Sequence, residues 1–431
     1  MAGMKYALLI LSGGAMLMMA PPAPAQPPTL DALFAAAGRG DMAPIARALD
    51  EAADADERAL LRARIAAARY ESGMAADPVL RRLAQGEDLD RRRAALALLA
   101  SVAFADGVYA EAARLGQVLE AELLAAGRDG AEGAGRMWRL AALLAGQPAQ
   151  VVDGGVVAGA APARVDRVGL PRIDFAVNGA AQEAVFDTGA ALSVLSAATA
   201  ERLGVRVLED AAEVGNGVQG TVPVRVGVAE RIEIAGTVIR NVPFLIIDDA
   251  QLTFPQVPGG YDIRAIVGLP VMRALGRLRM ENAGRLTILP GDPPSDGVQN
   301  MHADGNDLYI DVTIDGRPVP LFLDTGANQT SLSALYAEAH PEIVAALETR
   351  DVRLASAGGA RQSRVANWTD VPVGLAGRTL VLPDIPVTLP GDGPAGRHYG
   401  VLGSNLLRAF ESYTLDFAAM RLELGAPVRN E

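Results

Sequence analysis

The 431 residues include no cysteine, which excludes a disulfide framework, a thiol nucleophile and a thiolate metal site. Histidine is nearly as scarce. The three present, His302, His340 and His398, show no metal-ligand spacing, and neither HExxH nor GxSxG occurs, so no metal and no cofactor are expected. His302 and His398 fall in polar loop text and His340 ends a helical stretch, so all three are expected at the surface. Aromatics make up 4%, and the two tryptophans, Trp138 and Trp368, read as packing residues, with Trp368 close enough to the second glycine-rich turn described below to touch a ligand there. Positive charge is the minority: 39 Lys and Arg against 51 Asp and Glu give a net charge of -12, with no basic cluster. A nucleic-acid partner, which needs a basic face to neutralise phosphates, is therefore not expected.

The N-terminus does contain an apolar run, from Tyr6 to Ala20 after Lys5, followed by Ala23-Pro24-Ala25. A positive start, a hydrophobic core and an A-x-A site predict a secretory signal over 1-25. The run is shorter than the roughly 20 residues of a spanning helix, and no later run is longer, so no membrane span is expected after cleavage. Export into a bacterial periplasm follows as an expectation.

From Leu30 to Gln147 the sequence is rich in Ala, Leu, Arg and Glu at helical spacing, with breaks at Gly38-Arg39-Gly40 and Gly127-Arg128-Asp129-Gly130, which predicts an α-helical domain over 28-150. Leu98, Leu99, Ala100 and Ala103, then Gly107, Tyr109, Ala112 and Ala113, resemble the small-residue and Tyr pattern of a tetratricopeptide helix pair. An irregular helical bundle fits the same text. Such a domain commonly serves as a surface for a protein partner.

Beyond Gln150 short Val- and Ile-rich runs alternate with Gly, Pro, Asn and Asp, the signature of antiparallel β structure. A Pro- and Gly-containing stretch in 290-300 reads as a linker between two copies of one pattern, over 165-289 and 301-426. Each copy has an alternating strand, a two-residue turn (Asn178-Gly179, Asp315-Gly316), and a second strand running into Asp-Thr-Gly-Ala, at 187-190 and 324-327. Gly316 follows Gly179 by 137 residues, and Asp324 follows Asp187 by the same 137, so the register holds through turn and motif. Later Ile266-Val267-Gly268 and Val401-Leu402-Gly403 correspond, each followed by a short helical stretch and a closing strand, Leu286-Leu289 and Leu422-Leu424.

An Asp delivered by an apolar strand into a tight turn is poorly solvated unless something shares its charge. Two such carboxyls brought within about 3 Å cannot both ionise and share one proton. The ionised member can then take a proton from water while the protonated one polarises a carbonyl oxygen. Thr188 and Thr325 are expected to hydrogen-bond across the junction, and Gly189 and Gly326 to permit the tight turns.

The hairpin, Asp-Thr-Gly-Ala and apolar-apolar-Gly order resembles the retropepsin-like aspartic peptidases, specifically bacterial aspartyl-protease domains, over about 165-289 and 303-425. The resemblance implies two β-barrel lobes closing into a pepsin-like bilobal pseudodimer, hence a multidomain α plus all-β chain. It further implies aspartic endopeptidase activity on a peptide or protein substrate, with Asp187 and Asp324 catalytic and Thr188, Gly189, Thr325 and Gly326 supporting them. Hairpin flaps are implied at Gly215, Asn216, Gly217 and Gly220, and at Ser356, Gly358 and Gly359. Neither flap has the Tyr of pepsin-like enzymes. Gly215-Asn216-Gly217-Val218-Gln219-Gly220 also satisfies GxGxxG, but a strand-like run follows instead of a helix, so a dinucleotide site is not expected. Two rivals remain open: lobes that each pair with their copy in a second molecule, and a peptide-binding scaffold that does not cut.

Overall fold

A computed structural model describes residues 28-71, 73, 77-216, 220-291, 297-356, 359-392 and 396-428. The expected signal segment, the centre of the 290-300 linker, Gly217 and Gly358 lie outside the described residues.

Seven helices open the described chain: α1 (Leu30–Ala37), α2 (Ala43–Glu51), α3 (Ala55–Ala67), α4 (Pro78–Leu83), α5 (Leu89–Ala105), α6 (Tyr109–Ala125) and α7 (Ala131–Leu144). Their starts are chemically specified. Asp54, Asp77 and Asp88 each accept hydrogen bonds from first-turn backbone N–H groups of α3, α4 and α5, satisfying donors that the helix leaves free. The breaks fall at the predicted glycines: α1 ends at Gly38, and α6 and α7 are separated by Gly127 and Gly130, both at positive φ. Small residues bring α6 and α7 together, since a Cβ on Gly116 would stand 2.7 Å from that of Trp138. Helices α5 and α6 form the pair carrying Ala103, Tyr109 and Ala112, whereas α1 to α4 are unequal in length, at 8, 9, 13 and 6 residues.

Two β-barrel-like lobes follow, and their strands run in the same order. In the first the neighbours are Gly159–Val165, Pro171–Val177, Ala180–Phe186, Ala265–Val267, Ser193–Ser196, Thr237–Ile247, Gly220–Ile234 and Arg206–Asn216. In the second they are Met301–Asp304, Asp307–Ile314, Arg317–Asp324, Gly400–Gly403, Ser331–Leu332, Arg378–Thr388, Gly359–Leu375 and Glu348–Ser356. Pairing of the second strand with the seventh closes each barrel. Both predicted hairpins are two-residue turns, Val177 facing Ala180 and Ile314 facing Arg317. Asn178 and Asp315 sit at φ 50 and 49 with glycine next, the left-handed pair that matches strand twist.

The lobes are joined by backbone pairing. Strand Arg277–Glu281 of lobe 1 runs antiparallel to Ser412–Asp416 of lobe 2, with Arg279 opposite Thr414. In this part of the repeat the offset is 135 residues, as between Gly268 and Gly403, so Arg279 faces its own counterpart and a pseudo-two-fold axis passes between them. Each lobe therefore closes with a hairpin, not the single strand read from sequence: Arg277–Glu281 with Arg285–Ile288, and Ser412–Asp416 with Arg421–Leu424. An ion pair between Arg277 and the buried Asp416, at 3.2 Å, crosses the same seam.

Candidate active site

The strand Ala180–Phe186 ends one residue before Asp187 and Arg317–Asp324 ends on Asp324, each where a turn begins. Behind each lies the apolar-apolar-Gly segment as a parallel neighbour, Phe186 beside Val267 and Asp324 beside Gly403. Asp187 N–H donates to Val267 O at 3.0 Å, so that segment fixes the carboxyl-bearing backbone.

The two turns interlock. Thr188 Oγ1 donates to Leu323 O at 2.7 Å and accepts from Thr325 N at 3.1 Å; Thr325 Oγ1 donates to Phe186 O at 2.6 Å and accepts from Thr188 N at 3.0 Å. Both threonines are fully buried. Four reciprocal bonds between lobes, out of water, hold the two motifs at fixed separation.

Each motif glycine lies against the other lobe's carboxyl. A Cβ on Gly189 would stand 2.6 Å from Asp324 Cγ, and one on Gly326 would overlap Asp187, so only glycine allows the two acids to approach. The approach is close enough that the Asp187 and Asp324 side chains hydrogen-bond one another within a single chain. Their surroundings differ. Asp187 Oδ1 accepts from Gly189 N at 2.8 Å, whereas Asp324 Oδ1 is buried with no partner.

Burial raises the pKa of both carboxyls. For Asp187 the rise is opposed by the hydrogen bond from Asp324 and by backbone N–H groups of Gly189, Gly326 and Ala190. For Asp324 burial, the Asp187 charge and the bond to Asp187 all act upward and outweigh the backbone N–H groups of Gly326 and Ala327, placing it well above the ordinary carboxylate range. The pair therefore resists double ionisation and shares a proton.

The flap candidates lie on hairpins in both lobes. Asn216 faces Gly220 at the end of the Arg206–Asn216 and Gly220–Ile234 pair, and Ser356 faces Gly359 at the end of the second. Gly215 lies in the first of these strands, so the GxGxxG segment joins two strands and opens no helix.

His398 departs from expectation. It stacks on Phe322 at 4.4 Å between ring centroids, and its Nδ1 pairs with Tyr309 Oη at 2.8 Å. Burial, with the Arg397 charge beside it, depresses its pKa to about 3 and keeps it neutral. A polar-looking loop hid this, because the aromatic partners are remote in sequence. His302 is half-buried and pairs with Asp311 at 2.9 Å, while His340 packs on Tyr336. Trp138 donates to Glu120, and Trp368 packs near Tyr336, both structural contacts.

Lobe 1 also holds a buried polar network that no motif announced. Arg172 Nε donates to Asp166 Oδ2 at 2.7 Å, Arg172 Nη2 to Tyr261 Oη at 2.8 Å, and Tyr261 Oη to Asp166 Oδ2 at 2.6 Å.

Comparison with known families agrees with this arrangement. Residues 173–271 match a model described as aspartyl protease, and residues 310–409 match one described as gag-polyprotein putative aspartyl protease. No curated protein matches the chain. The chain thus carries two tandem regions that match aspartyl-protease models, an arrangement consistent with the retropepsin-like family, behind an N-terminal helical region.

Proposed function

We propose that the chain is an exported aspartic endopeptidase that hydrolyses peptide bonds with a water activated between Asp187 and Asp324. The observation that carries this reading is the buried contact of the two carboxyls, with Asp324 raised by burial and by the charge of Asp187. Ionised Asp187 takes a proton from the water as its oxygen attacks the peptide carbonyl carbon. Asp324 gives its proton to the carbonyl oxygen, forming a gem-diol. Collapse of that intermediate returns a proton to Asp324, breaks the C–N bond and delivers the proton held by Asp187 to the leaving nitrogen. The flap hairpins cover the substrate.

The test is incubation of the mature chain with a mixed peptide library across a range of pH, beside Asp187→Asn. Cleavage by the wild type that the variant lacks is expected. Equal cleavage by both, or none by either, would favour a binding scaffold. The proposal extends to export: residues 1-25 are removed and the mature chain works in a periplasm, its helical region offering a protein-binding surface in which α5 and α6 resemble a tetratricopeptide unit. Among the described residues no helix is long and apolar enough to cross a membrane. Recovery of the tagged chain in the cytoplasm with residue 1 intact would count against export.

A further inference from the structure

The two ends of the cleft are equivalent by the internal repeat. At one end Asn306 Nδ2 of lobe 2 donates to Ala191 O of lobe 1 at 2.9 Å, just past the Asp187 turn. At the other, Asn328, which follows Ala191 by the repeat offset of 137, donates from Nδ2 to Val168 O at 3.3 Å. The helical region breaks this equivalence.

Behind Asn306 the lobe 2 hairpin is gripped by helical residues. Ala303 N donates to Ala68 O at 2.9 Å, Arg64 pairs with Asp304 at 3.0 Å, and Tyr70 Oη donates to Gly305 O at 3.1 Å. Tyr309 Oη donates to Gly38 O at 2.8 Å, and Arg39 lies over the Tyr399 ring. Tyr309 faces Phe322 across the strand pair, and Phe322 lies two residues before Asp324, on the same face of its strand.

On the lobe 1 side α7 packs on Arg206–Asn216, the first strand of the flap hairpin. Leu140 and Leu144 of α7 share an apolar cluster with Val222 and Val224 of its second strand. The helical region thus runs from the flap of one lobe to the hairpin of the other. At the opposite end Val168 and Leu170 border that same apolar cluster, but among the described residues no hydrogen bond or ion pair from residues 30-147 reaches Val168, Gly169, Asn328 or Gln329.

We infer that the helical region walls off the cleft beside Ala191 and Asn306, so that the bonds this site cuts lie close to one end of the substrate chain. Ala191 lies four residues after Asp187. At no more than about 3.6 Å per residue that stretch spans at most roughly 14 Å, room for about four residues of an extended peptide. The substrate class is then a polypeptide terminus, trimmed or processed at an internal bond near its end. The inference rests on the dyad reading above.

The test digests a denatured protein and a library of long synthetic peptides with wild type, Asp187→Asn, Arg64→Ala and Tyr70→Phe, and sizes every product by mass spectrometry. For wild type each primary cut is expected to release a fragment of about four residues or fewer, always from the same terminus. Arg64→Ala, and more mildly Tyr70→Phe, loosens the grip on the hairpin and raises the share of interior cuts several-fold. Interior cuts by wild type that Asp187→Asn abolishes would overturn the wall and leave the dyad standing. Product patterns unchanged in both loosening variants would also overturn it. Loss of all Asp-dependent cleavage would overturn the dyad reading and the wall with it.

Discussion

The two lobes share strand order and motif, yet they are braced differently, and one pair of equivalent positions shows how. Arg172 in lobe 1 and Tyr309 in lobe 2 are 137 residues apart, the repeat offset. Arg172 is tied within its own lobe, to Asp166, Tyr261 and, at 3.2 Å, Glu183. Tyr309 instead reaches out of its lobe to Gly38 of the helical region, as well as to His398. Lobe 1 is fastened at this place by an internal ion pair; lobe 2 leans on a separate region. The Asp-Thr-Gly turns are identical in the two lobes while the flanks differ.

The carboxyls diverge too, through their immediate partners. Both accept from backbone N–H groups, Gly189, Gly326 and Ala190 at Asp187 and Gly326 and Ala327 at Asp324, but Asp324 Oδ1 is left without a partner, which favours the proton on lobe 2. The largest expected effect follows: Asp187→Asn and Asp324→Asn should each lower turnover by about 10³-fold or more, measured on any cleaved peptide. Two surviving sites, one per homologous pair, would leave activity after either change. Turnover in the wild type should fall as pH rises through the raised pKa of Asp324, because the shared proton is lost. It should also fall as pH drops through the pKa of Asp187, itself raised above the ordinary carboxylate value by burial, because Asp187 then protonates. A folded-state carboxyl pKa above the unfolded 3.8 means the native state binds more protons than the unfolded one. Native stability is then lost as pH rises above that value. Asp324→Asn removes the charge that must be suppressed, so its melting temperature should exceed that of wild type at pH 7, the gap closing towards pH 4.

Arg172→Met should cost about 3–5 kcal/mol, because Asp166 would be left buried without its counter-charge. Denaturant unfolding measures it. A loss below about 1 kcal/mol would mean that lobe 1 is not held by this network. Thr188→Val leaves Thr325 N and Leu323 O without their partner in a buried junction, an expected loss of about 1–3 kcal/mol per group, with turnover falling alongside stability. Tyr309→Phe should be mildest, about 0.5–1.5 kcal/mol, and should appear as greater protease sensitivity around Gly38 while the lobes stay folded. If Tyr309→Phe costs as much as Arg172→Met, the contrast between self-braced and leaning lobes is wrong.

Much of this architecture was legible in the text. Asn178-Gly179 and Asp315-Gly316 demand left-handed turns, and alternation on either side demands strands, so the hairpins and the Asp that ends each could be placed by local chemistry. The cross-lobe threonine bonds followed from the repeat. What stayed hidden depends on contacts distant in sequence. Arg277–Glu281 alternates charged and apolar residues like any surface strand, and only its partner Ser412–Asp416 reveals it as the seam between lobes. His398 lies in polar surroundings along the chain, and its burial is created by Phe322 and Tyr309. The docking of Arg64, Tyr70 and Gly38 on lobe 2 had no local signal at all, since a salt bridge and three carbonyl contacts carry no spacing rule.

The most direct test is a titration of aspartate ¹³Cγ resonances, with Asp187 and Asp324 assigned from their Asn variants. One carboxyl should titrate well above 3.8, and the Asp187 resonance should change its titration when Asp324 is replaced. Two independent carboxyls, each titrating near 3.8 and indifferent to replacement of the other, would contradict a shared proton.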